Sequence, residues 1–277
     1  MSTILDQLAD YARYRVEQAK ERKPLEEIRE EALNASRKGV LSSGTSAPGF
    51  PEPFRFEKAL AADGDIHFIC ECKKASPSKG LIAPDFPYLE IAEEYQVAGA
   101  SAISVLTEPD YFQGSPRYLQ EISQTVSIPT LRKDFVVDVY QIYEAKLLGA
   151  SAVLLISELL TEAQLKEYLE VCGKLGLSAL TEAHSEAQVE KALKAGADIL
   201  GVNNRNLENF QVDMGTSVRL RKLVPPEIVF VSESGIRTRE DIIPLEEAGV
   251  DGVLIGETFM RSPDKKAMLA QLKGQNG

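Results

Sequence analysis

One short pattern occurs four times along this chain, and it constrains the fold more than any other feature. In each copy a glycine is followed by two residues (Ala-Ser, Ala-Asp or Val-Asp) and then by an apolar run. The pattern is typical of a helix that ends at a glycine, followed by a short loop and a buried strand. The glycines are Gly99, Gly149, Gly196 and Gly249, which lie 50, 47 and 53 residues apart. That spacing is about twice one strand–helix unit, so a further strand is expected between successive copies.

Four more apolar runs fill those positions, and each ends at an ionisable residue. They cover residues 66–72, 128–132, 177–181 and 228–232 and lead into Lys73, Lys133, Glu182 and Glu233. With the runs 102–106, 152–156, 199–202 and 252–255 they make eight strands that alternate with helices. The sequence therefore predicts an α/β fold, a TIM (β/α)8 barrel with an N-terminal helical extension. In such a barrel the four ionisable side chains would form one layer at the C-terminal mouth, where active sites lie.

The length and composition fit one large core. The chain has 277 residues, of which 44% are apolar, and barrels of about 250 residues fold as one domain. We expect a single domain over residues 1–277, with the helical extension at 1–62 and the barrel at 63–277. Residues 3–38 are predicted to be helical with a break at Pro24, and residues 42–53 to form a loop. The basic residues of the first helix, including Arg13, Arg15 and Lys20, are interpreted as a solvated face.

Charge and targeting signals restrict the partners. A net charge of −11 argues against nucleic acid as a general partner. It does not argue against an anionic small molecule, because a few lysines and helix N-termini can make one site positive. The N-terminus has no secretory signal pattern, and no apolar run approaches the roughly 20 residues of a membrane span. We therefore expect a soluble, cytoplasmic protein that binds no nucleic acid and no membrane.

The three cysteines, Cys70, Cys72 and Cys172, indicate reduced thiols rather than a disulfide framework. Along the first predicted strand Cys70 and Cys72 alternate with Glu71 and Lys73. We expect the cysteines to face the helices as small buried hydrophobes, and the charged pair to face the barrel interior. No metal site is expected, because ligands with zinc-type spacing do not accompany the cysteines.

The densest polar motif, residues 71–80, follows the first strand. Its Ser, Pro and Gly residues favour a loop that closes over a ligand, and Ser76 is the candidate contact in it. A solvated loop is the alternative, and it is the better interpretation for Lys74. After the sixth strand come Asn203, which could orient a polar group, and Arg205, which could bind a carboxylate through two hydrogen bonds. A polar turn is the alternative there.

Two glycine motifs follow the seventh and eighth strands, where barrels often bind phosphate through backbone N–H groups. Ser234 and Gly235 form the first, and Gly256 and Glu257 open a helix in the second. Each alone could be a simple turn or cap, but together they predict a phosphate site. His184, just past Glu182, is interpreted as a helix N-cap or a surface residue.

Taken together, the runs 71–80, 131–135, 181–184, 201–207 and 232–236 resemble the indole-3-glycerol phosphate synthase family. The resemblance covers nearly the whole chain, including the helical extension, and the combination is specific although no single motif is. It implies the ring closure of 1-(2-carboxyphenylamino)-1-deoxyribulose 5-phosphate to indole-3-glycerol phosphate, carbon dioxide and water in tryptophan biosynthesis. The partners implied are this sugar-phosphate substrate and other enzymes of the tryptophan pathway.

The resemblance also implies roles for the catalytic candidates. Lys133 is the general acid that protonates the ketone oxygen, and Glu182 is the general base that helps restore aromaticity as water leaves. Lys73 balances the substrate carboxylate and shares the acid duty, while Glu71 and Glu233 hold the lysines charged and oriented. The residues implied in positioning and binding the substrate are Asn203, Arg205, Ser76, Ser234, Gly235, Gly256 and the N–H of Glu257.

No metal or organic cofactor is expected, because the carboxylate leaves from a carbon that ring closure has made electron-poor. The carboxylates favour charged lysines, while burial and the second lysine are expected to lower the lysine pKa and so make a better acid. Two residues depart from the family pattern. Cys72 stands where a larger apolar residue is usual, which predicts only a packing change. Glu257 stands where serine is common, and its carboxylate is expected to turn away from the phosphate.

The residues leave three alternative functions open. Another sugar-phosphate barrel, such as phosphoribosylanthranilate isomerase or the tryptophan synthase α chain, would share the phosphate site but would not need two lysines and three glutamates. An aldolase could form a Schiff base through Lys73 or Lys133, which borohydride would trap. A binding barrel without catalysis would keep only the phosphate site, and turnover would exclude it.

Overall fold

Eight parallel strands close into a barrel, as predicted. The computed structural model of the chain describes residues 3–38, 52–62, 64–206 and 210–275. Each strand pairs with its neighbours in sequence, and the first pairs with the last, so that the sheet closes on itself. The strands are β1 (His67–Cys72), β2 (Ala102–Leu106), β3 (Thr130–Lys133), β4 (Ala152–Ile156), β5 (Ser178–Ala183), β6 (Ile199–Asn203), β7 (Val229–Glu233) and β8 (Gly252–Ile255).

Helices precede and surround this barrel. Three come before β1: α1 (Ile4–Arg22), α2 (Leu25–Lys38) and α3 (Arg55–Leu60). Those that follow are α4 (Tyr88–Ala98), α5 (Pro116–Thr125), α6 (Tyr140–Leu147), α7 (Glu162–Leu175), α8 (Glu186–Ala195), α9 (Gly215–Arg221), α10 (Arg239–Glu247), α11 (Glu257–Arg261) and α12 (Lys265–Leu272). None of the helices described is long and apolar enough to cross a membrane.

The helical extension has its predicted break, because α1 ends at Arg22 and α2 begins after Pro24. Of the predicted loop 42–53, residues 42–51 lie outside the described residues, as does Leu207 of the motif after β6. A short hairpin of Ala75–Ser76 and Gly80–Leu81 forms within the serine-rich loop after β1.

The four repeated glycines have the local structure that the pattern predicts. Their φ angles are 92° for Gly99, 87° for Gly149, 92° for Gly196 and 73° for Gly249. This left-handed conformation ends a helix and suits glycine, which has no Cβ to clash. Three residues after each glycine a barrel strand begins.

Alternation along the strands produces two apolar layers. Ile69, Leu131 and Leu180 point inward and pack in the barrel interior with Phe56 and Leu60 of α3. The N–H of Glu57 donates a hydrogen bond to Ser178 at the start of β5. Helix α3 therefore covers the N-terminal end of the barrel, which leaves the opposite end for the site.

The outer layer lies between the strands and the helices, and it contains the cysteines of β1, as predicted. Cys70 and Cys72 are buried there together with Tyr95 of α4. Burial raises the pKa of both thiols, so they stay protonated and act as packing groups. Glu71, between them, faces the other way and lines the cavity at the barrel mouth.

Ion pairs fix α1 across that mouth, so the interpretation of its basic face as solvated is wrong for two residues. Arg15 donates hydrogen bonds to Glu108 after β2, at 3.1 Å, and to Asp134 after β3, at 2.8 Å. Lys20 binds Asp138 at 2.7 Å. The carboxylates of Glu108 and Asp134 are buried, so these contacts are stronger than exposed pairs.

Replacing Arg15 with methionine should lower the free energy of unfolding by about 1–2 kcal/mol, because two buried carboxylates lose a partner. The loss is limited because Glu108 also accepts three backbone N–H groups and Asp134 also binds Thr107. Urea unfolding measures the change. Arg13→Met is the matched control, since its exposed pair with Asp10 is worth about 0.5 kcal/mol or less. Equal losses in the two variants would contradict this account of α1.

Candidate active site

A cavity of about 400 Å³ opens at the C-terminal ends of the strands. All the site residues predicted from the sequence line it: Glu71, Lys73, Ser76, Lys133, Glu182, Asn203, Arg205, Glu233, Ser234, Gly235, Gly256 and Glu257. The barrel mouth therefore brings together ends of strands that are up to about 190 residues apart in sequence. In the part of the chain that the structure describes, no group of His, Cys, Asp or Glu side chains is placed to hold a metal ion.

Lys133 lies at the centre of the charged layer, between two carboxylates. Its Nζ is 2.9 Å from Oε2 of Glu182 and 3.1 Å from Oε2 of Glu233. Burial opposes the charge on Lys133, but the two glutamates outweigh it and raise the pKa of the lysine above its usual value. The expectation of a lowered lysine pKa is therefore wrong for Lys133, because two close carboxylates outweigh desolvation.

The two glutamates share this one cation, and their pKa values move apart. Burial raises the pKa of Glu233 to about 8, helped by the negative charge of Glu182 and opposed by Lys133. Burial also disfavours a charged Glu182, but Lys133 and His184 outweigh it and lower the pKa of Glu182 to about 2. The opposite shifts favour an ionised Glu182 and a Glu233 that takes up a proton more readily than a free glutamate. A like-charged pair in a buried site behaves in this way, since both members cannot ionise cheaply.

A second lysine–glutamate contact, between Lys73 and Glu71, lines the same cavity as Lys133 and its two glutamates. Lys73 Nζ is 2.6 Å from Oε2 of Glu71, whose other oxygen accepts a hydrogen bond from Ser104 at 3.5 Å. A Cβ at Gly256 would overlap both the carboxylate of Glu71 and the ammonium of Lys73. The glycine after β8 therefore leaves the space that the pair occupies, as well as letting the backbone approach a ligand.

The backbone after β7 turns through two left-handed residues. Ser234 has a φ of 68° and Gly235 a φ of 92°. After β8, the carboxylate of Glu257 turns toward Arg261, whose Nε donates to it at 3.0 Å, and it lies 3.7 Å from Lys79. Burial disfavours its charge, but Arg261 and Lys79 outweigh this and lower the pKa of Glu257. The carboxylate is thus paired with cations, and Glu257 itself lines the cavity.

Asn203 links the charged layer to the loop after β6. Its Nδ2 donates to Oε1 of Glu182 at 3.4 Å, and its Oδ1 accepts from the N–H of Arg205 at 3.0 Å. The guanidinium of Arg205 donates to the carbonyl of Phe210 at 3.2 Å. Both side chains are therefore held in place at the edge of the cavity.

His184 is neither an N-cap nor a surface residue, so the interpretation given to it is wrong. Ser185 caps α8 instead, by accepting a hydrogen bond from Gln188. The His184 ring is largely buried, with its Nε2 3.4 Å from Oε1 of Glu182. The sequence spacing alone did not reveal this, because the strand continues to Ala183 and turns the next side chain back toward the site.

An apolar wall of the cavity was also missed. Phe112 and Phe135 come from the loops after β2 and β3, and their ring centroids are 6.2 Å apart. Leu5 and Leu8 of α1 line the cavity too. The signal that could have found the phenylalanines is their position just after strands, in loops that meet at the mouth.

Comparison with known proteins identifies the family of this chain. The sequence profile of the indole-3-glycerol phosphate synthase family matches residues 5–272. An indole-3-glycerol phosphate synthase from Ruminiclostridium cellulolyticum is 54% identical over 271 residues, which cover 98% of this chain and 99% of the relative. One from Endomicrobium trichonymphae is 53% identical over 98% of this chain and 99% of its own length.

Solved structures that resemble the chain agree on the fold. A 3-hexulose-6-phosphate synthase from Salmonella typhimurium superposes with a TM-score of 0.63 at 12% identity, over 76% of this chain and 98% of that one. A thiamine phosphate pyrophosphorylase from Pyrococcus furiosus gives a TM-score of 0.56 at 18% identity, over 76% of this chain and 94% of that one. At such identities the likeness concerns the barrel alone.

The raised pKa of Glu233 predicts a pH-dependent stability. The folded protein keeps a proton that the unfolded chain releases, so this contribution is present below about pH 4.5 and is lost as the pH rises to about 8. Glu233→Gln cannot lose the proton. The wild type loses this contribution between these two pH values and the variant does not. The free energy of unfolding of the variant minus that of the wild type should therefore rise over this range, by something on the order of 2–4 kcal/mol.

Urea unfolding at a series of pH values measures this difference. Glu190→Gln is the control, because Glu190 is exposed and Lys194 lowers its pKa, so its titration falls below the window. The control should run parallel to the wild type above about pH 5. A Glu233→Gln curve that also runs parallel would show that Glu233 is charged throughout.

Proposed function

The chain belongs to the indole-3-glycerol phosphate synthase family, lyases of tryptophan biosynthesis, and from that membership we propose how its cavity carries out the reaction. The substrate is 1-(2-carboxyphenylamino)-1-deoxyribulose 5-phosphate, and the products are indole-3-glycerol phosphate, carbon dioxide and water. The observation that carries the proposal is the place of Lys133 between Glu182 and Glu233, in a cavity that also holds the Lys73–Glu71 pair.

The phosphate binds to the backbone of the two turns that follow β7 and β8. Ser234 and Gly235 supply one side of its site, and Gly256 with the N–H of Glu257 supplies the other. Backbone N–H groups suit this task because they donate hydrogen bonds without adding a mobile charge. The carboxylate of Glu257 does not repel the phosphate, since it is turned toward Arg261.

The aromatic ring and its carboxylate occupy the other end of the cavity. Phe112 and Phe135 pack against the ring, and Lys73 balances the carboxylate, with Ser76 of the same loop as a further contact. Asn203 and Arg205 orient the polar groups between the ring and the phosphate. These contacts hold the carbon that bears the carboxylate against the ketone carbon. Substrate binding then covers most of the entropic cost of bringing the two carbons together.

Ring closure uses Lys133 as the acid. The aromatic carbon attacks the ketone carbon, and the ketone oxygen takes a proton from the Lys133 ammonium to become a hydroxyl. The carbon–carboxylate bond then breaks, and its electron pair restores the aromatic ring as carbon dioxide leaves. The contacts with Glu182 and Glu233 keep Lys133 protonated until the ketone oxygen develops negative charge in the transition state.

Loss of water uses Glu182 as the base. The hydroxyl leaves with a proton from a lysine, and Glu182 removes a proton from the neighbouring carbon, which completes the indole. In the resting site Lys133 makes Glu182 a weak base, as its lowered pKa shows. Once Lys133 has given up its proton, that stabilising charge is gone and the Glu182 carboxylate becomes more basic. The acid step therefore prepares the base for the next step.

The absence of tryptophan from the sequence makes the reaction directly observable, because indole fluorescence can come only from the product. Mixing the protein with the substrate, with a chelator present, should give a rise in indole emission at catalytic protein concentration. Emission that needs added metal would contradict the acid–base proposal. Tight binding of the substrate without emission would instead indicate a binding barrel.

Lys133→Met should reduce kcat by at least about a thousandfold, since it removes both the acid and the cation that Glu182 and Glu233 share. Substrate binding should persist, which calorimetry or a competition assay measures. Lys74→Met is the matched control: Lys74 follows Lys73 in the sequence but does not line the cavity, so the turnover of this variant should stay near normal. Near-normal turnover in Lys133→Met would remove Lys133 as the essential acid.

Glu182→Gln should slow the dehydration step selectively, by about a hundredfold or more, because the amide cannot accept the proton. Rapid-quench measurements over a single turnover would show carbon dioxide released before indole appears. If both products appear together at the wild-type rate, Glu182 is not the base.

A further inference from the structure

A buried polar cluster lies behind the phosphate-binding backbone, and the mechanism does not use it. It consists of Asn204, Ser217 of α9 and Ser232 of β7, which are 3%, 0% and 0% exposed. None of the three lines the cavity. Polar side chains in such a place need partners, because an unsatisfied buried group is costly.

The amide of Asn204 connects the whole cluster. Its Oδ1 accepts hydrogen bonds from the N–H and the hydroxyl of Ser217, at 3.0 and 2.8 Å. Its Nδ2 donates to the hydroxyl of Ser232 at 3.0 Å and to the carbonyl of Ser234 at 3.2 Å. The backbone N–H of Asn204 also donates to the carbonyl of Glu233 at 2.9 Å. One residue therefore ties the end of β6 to α9 and to the turn after β7.

The contact with Ser234 is the one that concerns the ligand. Ser234 is not a glycine, yet it has a φ of 68°, a conformation that costs an ordinary residue about 1 kcal/mol or more. Such a conformation persists only where the surroundings hold it. The carbonyl that Asn204 binds belongs to the peptide between Ser234 and Gly235, which is the peptide at the phosphate site.

The next residue, Gly235, is packed against the loop that contains Val212 and Met214. A Cβ at Gly235 would overlap the side chains of Val212 and Met214. That loop is closed by the N–H of Asp213, which donates to the carbonyl of Asn204 at 2.9 Å. Asn204 therefore fixes both the strained turn and the loop that packs on it.

We propose that Asn204 is a positioning residue for the substrate phosphate: its amide holds the Ser234–Gly235 peptide in the left-handed turn, so that the phosphate site exists before the ligand arrives. This rests on the proposed function, which places the phosphate at that peptide. A preformed site saves the free energy of ordering it on binding. A side chain that served only to satisfy Ser217 and Ser232 would need no contact with Ser234.

The test compares Asn204→Ala with Ser217→Ala, using steady-state turnover and inhibition by inorganic phosphate. Asn204→Ala should raise KM and the phosphate inhibition constant roughly five- to tenfold, with kcat changed less than about twofold. Ser217→Ala breaks the cluster on its far side and leaves the Ser234 contact, so it should lower the melting temperature but leave phosphate inhibition unchanged. Equal effects of the two variants on phosphate inhibition would overturn the proposal, because they would reflect general loosening.

A double-mutant cycle with Ser234→Gly separates the effect of Asn204 on the turn from a general loss of stability. Glycine adopts the left-handed turn without help, so Asn204→Ala should weaken phosphate inhibition much less in the Ser234→Gly background than in the wild type. Equal losses in both backgrounds would overturn the proposal. If Asn204→Ala does not fold, Asn204→Ser replaces it, because a serine hydroxyl is too short to reach the Ser234 carbonyl. Wild-type protein that neither turns over nor is inhibited by phosphate would instead refute the proposed function.

Discussion

The pairing of β1 with β8 is the constraint on which the rest of the structure depends. It closes the sheet, with Cys70 opposite Ile255, so that Lys73 and Glu71 come to lie against Gly256. An open sheet with the same strands would leave the first and last strand ends far apart. Closure therefore places two lysine–glutamate pairs in one cavity and leaves little water to screen them.

The charged side chains at the barrel mouth do not divide into separate lysine–glutamate pairs. The charged layer of Glu71, Lys73, Lys133, Glu182 and Glu233 has three glutamates and two lysines, so Glu182 and Glu233 share Lys133. Glu233 is the group whose pKa rises, because it is buried beside Glu182 and both compete for Lys133. The imbalance shifts the pKa values of two chemically similar side chains in opposite directions, which suits a site with separate acid and base steps.

The sequence predicts the barrel and the lining of its mouth well, because both follow from periodic patterns. Strand ends and the glycine that begins each repeat are local signals, and closure of the barrel converts them into a site. Three features could not be read in this way. The pKa of Lys133 depends on two distances that only the fold sets. The anchoring of Arg15 and the burial of His184 depend on partners that sequence spacing does not reveal, since a basic helix face or a residue after a strand looks the same whether solvated or packed.

The anchoring of α1 has a consequence for how the chain is made. Arg15 binds residues 93 and 119 positions further along, and Lys20 binds one 118 positions further. Helix α1 can therefore be fixed only after β3 has been synthesised, and until then its buried residues, among them Leu5 and Leu8, have no barrel to pack against. A helix that lies across the barrel mouth is thus synthesised well before the residues that hold it there.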